Sequence, residues 1–281
     1  MHEWSLLLFT VCLQGAIGIM FFITLFQNKL KALSTEQVSQ CLKLPLVVTA
    51  LLSIVGLIAS FTHLGTPTRA MNTLFGFGRS WMSNEIVVTS VFIGLVFVCV
   101  GLLFLKKKVF MSLVSASAII GLIDVFCMAK IYSFSLVDGW NNLNTFTSFY
   151  GTTFVLGAIF FMAFVLPSMK KINESMVTTL LKWSFVFAIF GIGIQLIGLA
   201  SFAIQDAQTI IIDTISWSEK MAPYLSTILI RWIIELLAIG IFGHIVFSSK
   251  GISRINIIYV TLILLIGAEL TNRYLFYVLG A

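Results

Sequence analysis

Charge is scarce in this sequence. Only 10% of its 281 residues are Asp, Glu, Lys or Arg, and 59% are hydrophobic. Soluble domains carry about a quarter charged residues. A soluble fold would have to expose much of this apolar surface as sticky patches, so the natural solvent is lipid. Cysteine is sparse too. Cys12, Cys41, Cys99 and Cys127 share no CxxC spacing, which leaves a metal site, a cluster or a disulfide framework unsupported; they read as small core residues. There is no Walker loop. The glycines of GFGR and GIGIQ follow no strand and make no dinucleotide fingerprint. Gly191, Gly193 and Gly198 read instead as places of close helix packing. No basic stretch alternates with aromatics as single-strand binders require, so the formal charge of +6 points to membrane topology and not to nucleic acid. The opening MHEWSLLLF has no Lys or Arg ahead of its apolar run. A cleaved signal peptide carries a basic stretch there, and the expectation is a retained span.

What the chain does have is eight apolar segments, at about 5–26, 43–62, 84–105, 109–130, 148–168, 178–204, 224–247 and 255–278. Each is long enough to cross a bilayer at roughly 20 residues per span. Only helices and closed barrels satisfy backbone groups in lipid, and these runs lack the period-two alternation of a barrel. The expected fold is all-α: a polytopic transmembrane bundle of about eight helices, with 1–281 forming a single integral-membrane domain. The odd connections hold Lys29, Lys31, Lys43, Lys106, Lys107, Lys108, Lys170, Lys171, Lys182, Lys250 and Arg254, most of the 17 basic residues. The even ones carry Asp138, Asp206, Asp213 and Glu219, with Lys220. The positive-inside rule puts the odd connections in the cytoplasm and both termini on the other, periplasmic side. The fourth connection, Ser133 to Ser148, is polar and reads as a solvated loop or a partner contact.

The second connection breaks the rule. THLGTPTRAMNTLFGFGRSWMSNE, Thr62 to Glu85, puts Arg69 and Arg79 on the trans side. Gly65, Pro67, Gly76 and Gly78 allow tight turns, and Trp81 suits an interfacial belt. His63 and Glu85 bracket the segment. An imidazole and a carboxylate at a membrane edge accept and relay protons, the equipment for oxidising a quinol, which loses two protons with its two electrons. The arginines serve either to keep Glu85 ionised or to bind an acidic partner. The competing reading is helix capping and interface anchoring. A haem held by two histidines is excluded by topology: His63 falls at the trans end of its span and His244 near the cytoplasmic end of another, while His2 sits in a short tail. Ionisable residues also lie inside spans, where they are costly and often functional. Arg231 with Glu235 and Glu269 with Arg273 are i, i+4 pairs, and with Asp124 and Gln195 they fall in the trans half. They read as a proton exit path or as ion pairs joining helices.

HEWSLLLFTVCLQGAIG at the start, HLGTPTRAMNTLFGFGRSWMSNEI in the second connection and GAELTNRYLFY at the end resemble the membrane-anchor subunit of anaerobic dimethyl sulfoxide reductase. The likeness runs over essentially the whole chain, and the second connection is its most specific part. It implies an anchor in the bacterial cytoplasmic membrane that binds and oxidises menaquinol and carries no haem. Its electrons pass to an iron–sulfur subunit and a molybdopterin catalytic subunit, where the terminal acceptor is reduced and where those cofactors reside. It also implies that His63 and Glu85 are the essential quinol-site pair, with Gly65 and Arg69 in the same segment; Arg79 joins them from the reading of the residues. The alternatives are an anchor for a related polysulfide, thiosulfate or selenate enzyme, a transporter, and a purely structural anchor. A transporter would favour broken helices, whereas Pro45, Pro67, Pro167 and Pro223 all fall near expected span ends.

Overall fold

A computed structural model describes residues 4–63, 67–137, 139–208, 217–248 and 256–280, excepting the side chains of 63, 67–71 and 203–208. Eight helices are long and apolar enough to cross a membrane. We number them α1 (Trp4–Leu25), α2 (Thr35–His63), α3 (Trp81–Lys106), α4 (Met111–Ser133), α5 (Leu143–Ile172), α6 (Glu174–Gln208), α7 (Leu225–Phe247) and α8 (Asn256–Gly280). Short helical turns at Gln27–Leu30, Pro67–Gly76, Trp217–Met221 and Ala222–Tyr224 join some of them. No strand occurs among the described residues. His2, Gly65, Asp138, Asp213, Lys250 and Arg254 lie outside the described residues, as do the side chains of His63, Arg69 and Asp206.

Several boundaries differ from the apolar pattern because helix continues into the flanking polar residues. α2 begins at Thr35, well ahead of its apolar run. Ser34 Oγ accepts from the Gln37 backbone N–H at 3.2 Å, and Gln37 Oε1 accepts from the Ser34 N–H at 3.0 Å. This reciprocal capping box starts the helix on polar residues. Pro45 therefore sits inside α2, and the Thr49 hydroxyl donates to the Pro45 carbonyl at 2.9 Å. α5 likewise runs through Pro167. It is separated from α6 only by Asn173, whose Oδ1 accepts from the Met176 N–H at 3.0 Å and opens α6.

α1 and α5 form the axis. In their most apolar stretches 78% and 83% of residues are buried, against 22% in the span containing α7, which faces outward. α2, α4 and α5 pack on α1, α3 pairs with α4, and α6, α7 and α8 complete the side around α5. Lipid offers no hydrophobic drive between helices, so small residues that let backbones meet do the work. Gly18 of α1 and Gly157 of α5 touch back to back: a Cβ on Gly157 would lie 2.5 Å from the Gly18 Cα. Gly151 and Gly191 make the same approach between α5 and α6, 2.9 Å from a built Gly191 Cβ to the Gly151 carbonyl. Of the three α6 glycines expected to serve close packing, Gly191 and Gly198 do, and Gly193 faces open space.

A polar network ties α5 to α8. Arg231 of α7 pairs with Glu235 at 2.7 Å and donates to Gln195 Oε1 of α6. Gln195 Nε2 donates to Glu269 Oε1 of α8 at 2.9 Å. Glu269 Oε2 accepts from Thr152 of α5 at 2.7 Å and Asn272 at 3.3 Å. The second expected pair does not close within ion-pair distance. Arg273 instead reaches across to Gln14 Oε1 of α1 at 2.9 Å, with its guanidinium 3.7 Å from the Phe149 ring centroid. Hydrogen-bond donors satisfy Glu269, and a ring face and an amide take the cation.

The fourth connection is exposed in part, at Phe134, Leu136 and Leu143, and packs in part on α8. Trp140 Nε1 donates to the Phe276 carbonyl at 2.9 Å, and a Cβ on Gly139 would lie 2.6 Å from the Gly280 Cα, so this segment seals the end of α8.

Two stability outcomes follow from these contacts. Gly157→Leu should destabilise the detergent-solubilised chain by about 3 kcal/mol, the upper range of overpacking, while Gly193→Leu should leave its thermal unfolding unchanged. Arg231→Leu strands the Glu235 carboxylate in the interior and should cost about 3–5 kcal/mol. The double change with Glu235→Leu should recover much of that loss in the same unfolding measurement.

Candidate functional site

Contacts define the two ends of the bundle. At one end Trp4 of α1 stacks on Tyr274 of α8, ring centroids 5.9 Å apart, and the Tyr132 and Tyr277 hydroxyls meet at 2.9 Å. At the other, Ser39 of α2 donates to the Lys107 carbonyl beyond α3 at 2.8 Å. α2 therefore ends, and α3 begins, at the first end. His63 and His244 lie at opposite ends, His63 closing α2 and His244 in the last turn of α7, and cannot share one iron.

The connection that brackets the sequence-predicted site is itself built. Pro67–Gly76 forms a 3-10 helix, long for that geometry, and Arg69 falls within it. Gly78 has φ +79, a conformation that favours glycine, and its N–H donates to Asn84 Oδ1 at 2.7 Å. The Arg79 N–H donates to the Gly76 carbonyl at 3.0 Å. A Cβ on Gly76 would run into Ser83, 3.2 Å from its Cβ, so glycine lets the turn close on α3. The Arg79 side chain is exposed and pairs with no carboxylate among the described residues, Glu85 included; of the two readings of the arginines, Arg79 does not form the one that pairs it with Glu85. Leu74, Phe75, Phe77 and Met82 project outward, Phe75 at 84% exposure.

Glu85 lies in the second turn of α3 and is half-buried. It lies within electrostatic reach of Asp124 on α4 and of Tyr132 and Tyr277. One turn on, Thr89 donates to Asp124, with Oδ1 at 2.8 Å and Oδ2 at 2.9 Å. Asp124 is fully buried and has no cation within ion-pair distance among the described residues. Glu85 and Asp124 thus both border the α3–α4 seam, Glu85 one turn from the Thr89 that bonds Asp124. The sequence did not link Asp124 to Glu85, because the pairing of α3 with α4 brings them to one seam. Lys130 of α4 closes this side, its ammonium 4.7 Å from the Phe134 ring and 5.8 Å from Trp81; Trp81 thereby anchors α3 to α4.

Between α1 and α2 lies a groove of about 490 Å³, lined by Trp4, Ser5, Leu8, Val55, Ile58, Ala59 and Thr62. Its α2 residues recur every three or four positions and form one helix face. His63 is the next residue after Thr62. The volume falls within the 300–1,000 Å³ of small-molecule sites, and apolar walls with a few polar groups are their usual lining. Nothing in the sequence marked this groove, because its lining comes from two separate apolar helices. On the α5–α8 side a cavity of about 50 Å³ opens among Asn144, Ser148, Gln195, Arg231 and Asn272, room for water beside the buried network. Among the described residues no cluster of His, Cys, Asp and Glu is arranged to hold a metal.

The chain matches the model of the DMSO reductase anchor subunit (DmsC) over residues 1–279. It is 29% identical to the C subunit of anaerobic dimethyl sulfoxide reductase from Haemophilus influenzae, covering 99% of this chain and 94% of that one. It is 30% identical to the corresponding C subunit from Escherichia coli, with 98% and 94% covered. It is 28% identical to the YnfH subunit of anaerobic dimethyl sulfoxide reductase from Escherichia coli, with the same coverage. No solved structure matches it. Eight apolar helices account for nearly the whole described chain, and the family likeness spans that same length; the chain belongs to the DMSO reductase anchor subunit family.

Proposed function

We propose that the whole chain acts as one integral-membrane anchor in the bacterial cytoplasmic membrane, oxidising menaquinol at the end of the bundle where α2 and α3 are joined. The observation that carries this reading is the groove of about 490 Å³ whose lining runs to Thr62, the residue before His63 in the chain. Its walls suit an apolar ring: Leu8, Val55, Ile58 and Ala59 supply the faces, and Trp4, Ser5 and Thr62 the polar edge. Menaquinol supplies two electrons and two protons when bound there. His63 accepts or relays one proton; a neutral imidazole both binds a hydroxyl and takes its hydrogen. Glu85 assists the second release, with Asp124 and Thr89 at its back. Gly65 and Arg69 belong to the same segment, and Arg69 and Arg79 orient the head group or dock an acidic surface of the iron–sulfur subunit through charge-assisted bonds. The exposed Leu74, Phe75 and Phe77 give that partner an apolar footing.

The positive-inside rule assigns this end, with both termini, to the periplasm. The iron–sulfur and molybdopterin subunits then sit on that face, and protons leave on the side where electrons are collected, so turnover moves little net charge across the membrane. The molybdopterin, the iron–sulfur clusters and the reduction of the acceptor belong to those partners. That an anchor of a polysulfide or thiosulfate enzyme would share this site follows from the same division of labour. The transporter reading gains nothing: Pro45 and Pro167 lie inside continuous helices and break neither.

In membranes carrying His63→Ala or Glu85→Gln, quinol-dependent reductase activity should fall by about a hundredfold or more, the usual worth of a placed proton acceptor. Artificial-donor activity on the same membranes should persist, reporting intact partners. Survival of both activities in His63→Ala would remove the site. Filling the groove with Ile58→Trp should likewise abolish quinol-dependent turnover and spare the artificial donor; unchanged quinol kinetics would place the quinol elsewhere.

A further inference from the structure

The opposite end of the bundle holds a second built pocket. Between the start of α2 and the end of α3 lies a cavity of about 360 Å³, lined by Glu36, Ser39, Gln40, Lys43, Leu103, Phe104 and Lys107. Two cations face one acid there, and Lys106 and Lys108 flank Lys107 in the chain. Among the described residues neither Lys43 nor Lys107 has a carboxylate within ion-pair distance. The Lys43 ammonium lies instead 5.4 Å from the centre of the Phe104 ring.

The backbone supplies an independent observation. Lys107, which caps α3, has φ 51 and ψ 29, the sole non-glycine residue at positive φ among those described. Helices commonly end in this left-handed conformation on a glycine, which adopts it without steric cost. A lysine there holds a disfavoured conformation, and such strain gathers at ligand sites. The conformation is held from α2, through the Ser39 hydroxyl bonded to the Lys107 carbonyl at 2.8 Å. That bond also closes the pocket between the two helices.

We propose that this pocket binds the phosphodiester headgroup of an anionic glycerophospholipid, with Lys43 and Lys107 as its cationic partners and Gln40 as a neutral one, while Ser39 holds the Lys107 backbone in place. Basic pockets between spans are suited to such headgroups. The apolar surroundings favour a lipid over free phosphate. Leu103 and Phe104 form the wall, and Leu105 and Leu44 beside it are exposed at 81% and 42%, surface on which acyl chains lie and from which a soluble ion gains nothing.

The test uses the full chain purified in a neutral detergent and titrated with phosphatidylglycerol or phosphatidylcholine, bound lipid being counted by native mass spectrometry. The informative variants are Lys107→Gly, which removes the ammonium and relieves the backbone, and Lys43→Gln. The unaltered chain should retain phosphatidylglycerol over phosphatidylcholine. The double variant should bind phosphatidylglycerol about thirtyfold more weakly, as loss of two lysines near the headgroup region implies, with an unfolding temperature no lower than that of the unaltered chain. Lys107→Arg should keep the preference. Equal binding of both lipids by the unaltered chain, or undiminished phosphatidylglycerol binding by the double variant, would overturn the proposal. Complete competition by millimolar inorganic phosphate would overturn it too, in favour of a free-anion site.

Discussion

The contact between Gly18 and Gly157 governs this bundle. In lipid, apolar side chains gain little by leaving one apolar surface for another, so helices associate where backbones can come close. A built Cβ at Gly157 would sit 2.5 Å from the Gly18 Cα, which puts α1 and α5 at backbone contact in the centre of the molecule. Both helices consequently bury most of their surface. Every other span then packs on that axis or on a helix that does. Phe22 and Phe161, stacked at 6.0 Å between ring centroids, fill the space beside this crossing.

Close approach alone does not fix rotation about the helix axes, and the buried polar groups supply what is missing. A carboxylate or guanidinium in hydrocarbon is costly until another helix provides its partner. Glu269 draws donors from α5, α6 and its own helix; Arg231 bridges α7 to α6; Arg273 reaches α1. These bonds exist at one rotation of each helix. The same logic holds on the far side of the axis, where Thr89 and Asp124 set α3 against α4.

The end of the bundle proposed to hold the quinol follows from the same geometry. The α2–α3 connection is long and carries a 3-10 turn, while α5 and α6 are joined by a single capping asparagine. A tight link leaves no room for a ligand; a long one does. The groove between α1 and α2 opens beside that long connection, so apolar volume, the end of a helix carrying a histidine, and a half-buried glutamate on the next helix come to one end of the bundle. The lysine pocket occupies the other end, where the α2 and α3 termini are clasped by one hydroxyl.

The eight spans, their all-helical nature and the turns of the segment between His63 and Glu85 were legible in the amino-acid sequence. Lipid tolerates so few backbone arrangements that composition and length nearly dictate the answer. The capping box at Ser34 and Gln37 was also written there, although the apolar run hid it. Tertiary structure alone decided which polar residues meet. Glu269 and Arg273 share a helix face at i, i+4, yet each finds a partner on a different neighbour, since a residue's best partner depends on the rotation of helices it is not part of. The groove between α1 and α2, the meeting of Glu85 and Asp124 at one seam and the left-handed Lys107 have the same origin. They are properties of pairs of helices, and a sequence specifies each helix long before it reveals the pair.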